Sequence, residues 1–165
     1  MRWNWIEDKV KRFGWTHGAE LGIKEGRTIG HLLETCPELF MYGVDRWSEE
    51  VDEGNPETYA AWNFSAIEKQ ARQRVAKHNG RATLIKGSTE EAAAWVPDGT
   101  LDFVFIDADH GTEAVRRDVL LWRPKLVEAG WLIGHDINWP TVKEAVEALE
   151  LKYKAAHDNI WYVEP

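Results

Sequence analysis

A single cysteine, Cys36, is the only thiol in the 165 residues. That excludes an internal disulfide and fits a reducing compartment. Nothing near it favours a thiolate, so it reads as packing. No apolar run approaches the length of a membrane span, and Met1-Arg2-Trp3-Asn4-Trp5 lacks the apolar core of a signal peptide. A cytoplasmic protein is the expectation. Basic residues are scarce as well: 20 Lys and Arg face 28 Asp and Glu, for a net charge of -8 and a pI near 5.3. Such a chain has no footprint for non-specific binding to nucleic acid or to a membrane surface. The six prolines are scattered, no repeat or low-complexity tract occurs, and residues 1–165 read as one domain. Tryptophan, by contrast, is abundant, with ten copies. Most are expected to fill the core. Trp3, Trp5 and Trp15 crowd near one end, and Trp47 and Trp62 flank an acidic segment; some of these could line a substrate mouth or a subunit contact.

The most informative stretch runs from Ala19 to Asp45. It reads as a strand, the turn Glu20-Leu21-Gly22-Ile23-Lys24-Glu25-Gly26, a helix, and a second strand ending in Asp45. Gly22 and Gly26 let the backbone approach a ligand and start a helix without a Cβ clash. Asp45 falls about 20 residues after the turn, where an acid can accept hydrogen bonds from ribose hydroxyls. The dinucleotide pattern G-x-G-x-x-G is broken, because Lys24 replaces the second glycine. A pyrophosphate is therefore disfavoured, and with it a nicotinamide-dependent oxidoreductase. Glu20 would repel a phosphate but attract an ammonium or sulfonium cation. A nucleoside without phosphates fits better.

The rest of the chain alternates strands and helices. Residues 3–13 form a short N-terminal helix within residues 1–15, and 16–21 the first strand. A helix from 26 to 34, a strand at 40–45 and an acidic loop at 47–56 follow. Helical periodicity runs over 57–77 until Asn79-Gly80 stops it. Next come a strand at 82–86, a short helix at 90–95, a nearly continuous apolar strand at 101–106 and a helix at 112–122. Residues 126–130 lead into a strand at 131–134, then a helix at 141–149. The tail, 151–156 and 160–163, reads as an antiparallel pair. This is an α/β chain with a doubly wound, mostly parallel sheet and a C-terminal antiparallel hairpin. In such sheets ligands sit outside the carboxyl ends of the strands. Those ends carry Glu20, Asp45, Gly87-Ser88, Asp107-Ala108-Asp109-His110 and His135-Asp136. Nearly all the convergent polar chemistry lies on one rim.

The order E-x-G-x-x-x-G, strand-end Asp, K-G-S, F-I-D-A-D-H and G-H-D resembles that of class I S-adenosylmethionine-dependent methyltransferases. The likeness is greatest to the small-molecule O-methyltransferases of the macrocin type, and it spans residues 16–165. It implies a seven-stranded Rossmann-like sheet, S-adenosylmethionine as methyl donor and a small hydroxylated acceptor. Residue by residue, it implies that Glu20, Gly22 and Gly26 face the methionine part, Asp45 holds the ribose, and Gly87 and Ser88 lie beside the adenine. Asp107 would stand near the transferred methyl, and Asp109 would be the general base. In metal-dependent relatives the acid matching Asp107 binds a divalent cation together with the pair that is His135-Asp136 here. Oxygen ligands suit magnesium, and His135 adds room for manganese or zinc. His135 departs from the more usual acid at its position. Few residues precede the first strand, which points to a substrate side that is open or completed by a second subunit in a homodimer.

Simpler readings stand beside these. Asp45, Asp107 and Asp109 could cap the helices that follow them. His110 reads as a solvated loop residue, His17 as a buried strand residue, and His31 and His78 as surface. Asp118 reads as a helix-face charge, and Glu49-Glu50-Val51-Asp52-Glu53 as a solvated loop. A second functional reading is a module that binds S-adenosylmethionine or S-adenosylhomocysteine without transferase activity of its own.

Overall fold

Apolar residues on both faces mark the central strands. Phe103 and Phe105 pack into one core cluster, and Val104 and Ile106 into the other, as the period of two in a strand requires. The computed structural model describes residues 1–48 and 62–165. The acidic run 49–53, the Gly54-Asn55-Pro56 turn and the expected helical residues 57–61 lie outside the described residues.

Five strands run parallel: β1 (His17–Leu21), β2 (Phe40–Asp45), β3 (Ala82–Lys86), β4 (Leu101–Ile106) and β5 (Leu126–Gly134). Two short strands, β6 (Lys154–Ala155) and β7 (Trp161–Val163), complete the sheet in the order β3-β2-β1-β4-β5-β7-β6. β7 is antiparallel to both β5 and β6. The sheet is thus the seven-stranded one expected. The fifth strand is longer than the sequence indicates, because residues 126–130 join it across an irregularity between Leu101 and Phe103. The irregularity shifts Leu101 to the face of Val104. There the neighbouring Asp102 Oδ2 accepts the backbone N–H groups of Thr16 and His17, at 2.7 and 2.9 Å.

Helices cover both faces. On one lie α1 (Arg2–Phe13), α2 (Arg27–Thr35) and α3 (Phe64–Ala76); on the other lie α4 (Thr89–Ala93), α5 (Thr112–Trp122) and α6 (Pro140–Ala148). Within the described part of the expected helix over 57–77, α3 begins at Phe64, where the Asn63 side chain accepts the Ala66 N–H as an N-cap. The aromatic face of α1 is used within the chain. Trp5 packs on Tyr162, and Trp15 stacks on Phe103, with centroids 4.9 and 5.2 Å apart.

Three histidines depart from their sequence readings. His17 is exposed and stacks on Phe40, because the first residue of β1 sits at the sheet's amino edge. His78 is buried under the turn that ends α3. His31 is half-buried, its Nε2 2.6 Å from Glu7 on α1. Among the described residues, no helix is long and apolar enough to cross a membrane.

The chain runs β1 to β3 outward in one direction, then returns to the centre at β4. The order reverses between β1 and β4, which opens a crevice at their carboxyl ends.

Candidate functional site

A cavity of about 360 Å3 opens at that crevice. Gly22 after β1, Asp45 at the end of β2, Gly87 after β3, Asp107 and Asp109 after β4, and Asp136 after β5 all line it. Glu20, Gly26, Ser88 and His135 do not. Glu20 is buried within β1. Gly26 packs close to Ala71 of α3. Ser88 is turned to α4: its hydroxyl accepts the Glu91 N–H while the Glu91 side chain accepts the Ser88 N–H, a capping box. Thr89 takes the place beside Gly87 in the cavity wall.

The glycine turn is built for close approach. Gly22 has φ of 81°, and a Cβ there would stand 2.2 Å from the Asp107 carbonyl oxygen. Only glycine lets the two strand ends meet this way. Gly22→Ala is expected to lower stability by roughly 2 kcal/mol, since a backbone atom cannot yield as a side chain could. Thermal denaturation of the variant checks this, and an unchanged midpoint would count against it.

Asp45 ties that turn to the end of β2. Its Oδ2 accepts the Lys24 N–H and its Oδ1 the Trp47 N–H, both at 2.8 Å. The Trp47 indole N–H donates back to the Lys24 carbonyl at 2.9 Å. Burial raises the Asp45 pKa, and the two N–H groups oppose that rise. Each carboxylate oxygen can still accept a further hydrogen bond. Lys24 and Trp47 have φ of 51° and 44°, and Asp136 has 57°. Three strained non-glycine residues therefore border one cavity, as expected where backbone strain serves function. The Lys24 ammonium lies 3.7 Å from the Trp62 ring centroid, along the cavity wall.

The acidic end is more crowded than the sequence indicates. The Asp107 side chain is largely covered and forms an ion pair with Arg2, Nη2 to Oδ2 at 3.0 Å. Burial raises its pKa, opposed by Arg2 and then by His135. His135 Nδ1 stands 3.0 Å from Asp136 Oδ2 and 3.5 Å from Asp107 Oδ1, yet neither ring nitrogen is aligned for a hydrogen bond. Burial disfavours the His135 cation, but the two acids beside it raise its pKa overall. His110 is not a solvated loop residue. Its Nε2 lies 2.9 Å from Asp136 Oδ2, and its ring stacks on Trp139 at 4.5 Å. Burial opposes the charge of Asp136, but His110 and the nearby His135 hold its carboxyl well below the usual range. Asp109 Oδ1 accepts the Gly111 N–H at 2.7 Å, so part of its role is to shape the turn into α5. Among the described residues, one donor atom each from Asp107, His110 and Asp136 lie within 4.8 Å of one another. His110 thus joins the two acids in the cavity wall, while His135, which the sequence reading grouped with them, stands beside both acids but outside that wall.

Glu20 is fully buried behind the turn, and among the described residues its Oε2 has no hydrogen-bond partner. Burial, then the Asp107 charge, push its pKa up to about 8, against Arg2, the Ile29 N–H and the Thr28 hydroxyl. Asp118 is a second buried acid, not a solvated helix charge. It accepts the Thr89 hydroxyl and lines the cavity, and burial pushes its pKa up to about 6. A sequence signal for it existed. Ala114, Val115, Asp118, Val119 and Trp122 share the buried stripe of α5, so the acid falls on the apolar face. Arg2 had no such signal.

Several solved structures share the fold. A Staphylococcus aureus protein assigned as a caffeoyl-CoA O-methyltransferase superposes with a TM-score of 0.72 at 16% identity, over 99% of this chain and 83% of its own. The O-methyltransferase NovP gives 0.75 at 15%, over 99% and 78%. An O-methyltransferase from Bacillus cereus, in complex with S-adenosylhomocysteine, gives 0.68 at 13%, over 99% and 80%. These neighbours do not single out the macrocin type. No curated protein matches the sequence. The model of a methyltransferase domain family matches residues 19–137, from the core of β1 to just past Asp136. This chain belongs to that methyltransferase family, and its fold is that of the S-adenosylmethionine-dependent enzymes.

Proposed function

We propose that the chain transfers a methyl group from S-adenosylmethionine to a hydroxyl of a small molecule. One observation carries the reading: five neighbouring strand ends deliver Gly22, Asp45, Gly87, Asp107 and Asp136 to one cavity of about 360 Å3. That size suits a small-molecule ligand. The donor's methyl leaves a sulfonium, so it supplies its own leaving group. The residues fit such a donor. The cradle at Gly22 has no room for a Cβ, and the buried Glu20 Oε2 has no hydrogen-bond partner among the described residues. Asp45 holds the ribose hydroxyls. Gly87 and Thr89 border the adenine, with Asp118 supplying an acceptor that Ser88, engaged in its cap, does not. Glu20 and Asp107 attract the amino-acid end.

Trp62, Phe64 and Trp139 line the cavity and supply the apolar wall for the acceptor. Its oxygen is held in line with the methyl by this wall, which is where most of the rate arises. Asp109 takes the hydroxyl proton. A magnesium-type cation, when bound, would lower the acceptor's pKa. Asp107 and Asp136, with His110 or His135 beside them, are the side chains that would hold it. The O-methyltransferase neighbours support a hydroxyl acceptor.

Calorimetric titration with S-adenosylhomocysteine tests the reading. Micromolar binding is expected, and Asp45→Ala should weaken it about 100-fold, the value of two charge-assisted hydrogen bonds. No binding by the unaltered protein would remove the proposal.

A further inference from the structure

The N-terminal helix places a cation inside the cavity. Arg2 is the first residue of α1, and Ile6 and Val10 of the same helix are buried in the core, so its position is fixed by packing. From there the guanidinium reaches across to the ends of β1 and β4. Nη2 pairs with Asp107 at 3.0 Å, and Nε lies 3.5 Å from the Thr28 hydroxyl at the start of α2. The side chain lines the cavity together with Gly22 and Asp107.

The donor's amino-acid end is a zwitterion. Glu20 and Asp107 answer its ammonium, but two acids alone would repel its carboxylate. The carboxylate is one carbon from the ammonium, so its counter-charge must stand next to Asp107. The other cationic side chains of the cavity wall are Lys24, Arg46 and Arg117. Lys24 lies on the Trp62 ring, and Arg117 lies 3.8 Å from Glu90. Among the described lysines and arginines of the wall, Arg2 is paired with Asp107. We propose that Arg2 binds the carboxylate of the donor's amino-acid tail, making α1 part of the donor site. Its contacts engage Nη2 and Nε, and Nη1 is the nitrogen a ligand carboxylate would take. A planar guanidinium can bridge two carboxylates in this way, where a lysine offers only a point charge.

The inference rests on the donor reading given above, and the test separates the two. The probes are S-adenosylhomocysteine and its decarboxylated form, which keeps the ammonium and lacks the carboxylate. Their affinities are measured by calorimetry for the unaltered protein, Arg2→Ala and Arg2→Lys. S-adenosylhomocysteine should bind the unaltered protein tighter than the decarboxylated form by about tenfold or more. In Arg2→Ala the two affinities should come within about twofold, and Arg2→Lys should retain part of the gap. A gap that persists in Arg2→Ala overturns the assignment, as does equal binding of both probes by the unaltered protein. If Arg2 served only to neutralise Asp107, Arg2→Ala would shift both probes alike and leave the gap. Should Arg2→Ala fail to fold, Arg2→Gln and the two probes on the unaltered protein decide the matter. Failure of both probes to bind at all would instead remove the donor reading, and this inference with it.

Discussion

Turnover by Asp109→Asn is expected to fall by about a hundred- to ten-thousand-fold, with S-adenosylhomocysteine affinity unchanged within about twofold. Asp109 lines the cavity two residues beyond Asp107. The Gly111 N–H fixes its carboxylate at 2.7 Å. Asparagine keeps a carbonyl oxygen for that N–H, so the turn into α5 survives, but an amide cannot take a proton. The loss should therefore appear in kcat and not in donor binding. The measurement needs an acceptor from a screen of hydroxylated compounds, followed by kcat and donor titration for both proteins. Undiminished turnover would move the base elsewhere, and His110, held against Asp136 and stacked on Trp139, is the next group in the wall. A protein that binds the donor but methylates no acceptor in the screen would fit the non-catalytic module.

Glu20→Gln is expected to stabilise the ligand-free protein progressively as pH rises from about 4.5 to about 8. The folded Glu20 holds its proton to about pH 8, while an unfolded glutamate releases it near 4.5. Between these values the folded state binds more protons than the unfolded state. Stability therefore falls with rising pH, by at most ~1.4 kcal/mol per pH unit from this group. Glutamine mimics the protonated form at every pH and removes this slope. The two proteins should match below pH 4.5 and diverge by a few kcal/mol at pH 8, seen in urea denaturation across that range. A constant difference at all pH values would mean that Glu20 is ionised in the folded state. The same substitution should weaken donor binding, because the ammonium loses a counter-charge. Donor binding near pH 7 should also release a proton from the unaltered protein, since a cation beside Glu20 favours its charged form. Titration in buffers of different ionisation enthalpy reads that proton directly.

Much of the architecture was legible because its signals are local. The apolar run at 101–106 and the glycine turn at 20–26 specify strand, turn and helix through periodicity and backbone freedom, which neighbours in sequence decide. The same locality limited the reading of α3. Asn63 caps that helix at Phe64, although the apolar period carries on through Trp62, which lies outside the helix. Ser88 shows another limit. Its place after β3 marked it for the adenine, but Glu91, three residues on, engages it in a capping box. That pattern is visible in the sequence, and there a local hydrogen bond competes with a ligand role.

From sequence alone came the α/β class, the parallel strands with their antiparallel end, and the one rim expected to carry Glu20, Asp45, Gly87-Ser88, Asp107-Ala108-Asp109-His110 and His135-Asp136. These follow from chain order, since a strand's last residue must lie at its carboxyl end wherever the sheet packs. Tertiary structure alone decided which charges meet. Arg2 reaches Asp107, His110 as well as His135 stands beside Asp136, and Asp118 turns inward beneath Thr89. Such pairings depend on how each helix docks and rotates on the sheet. The raised pKa values of Glu20 and Asp118 depend on the water that packing removes, and neither quantity is encoded in the spacing of residues along the chain.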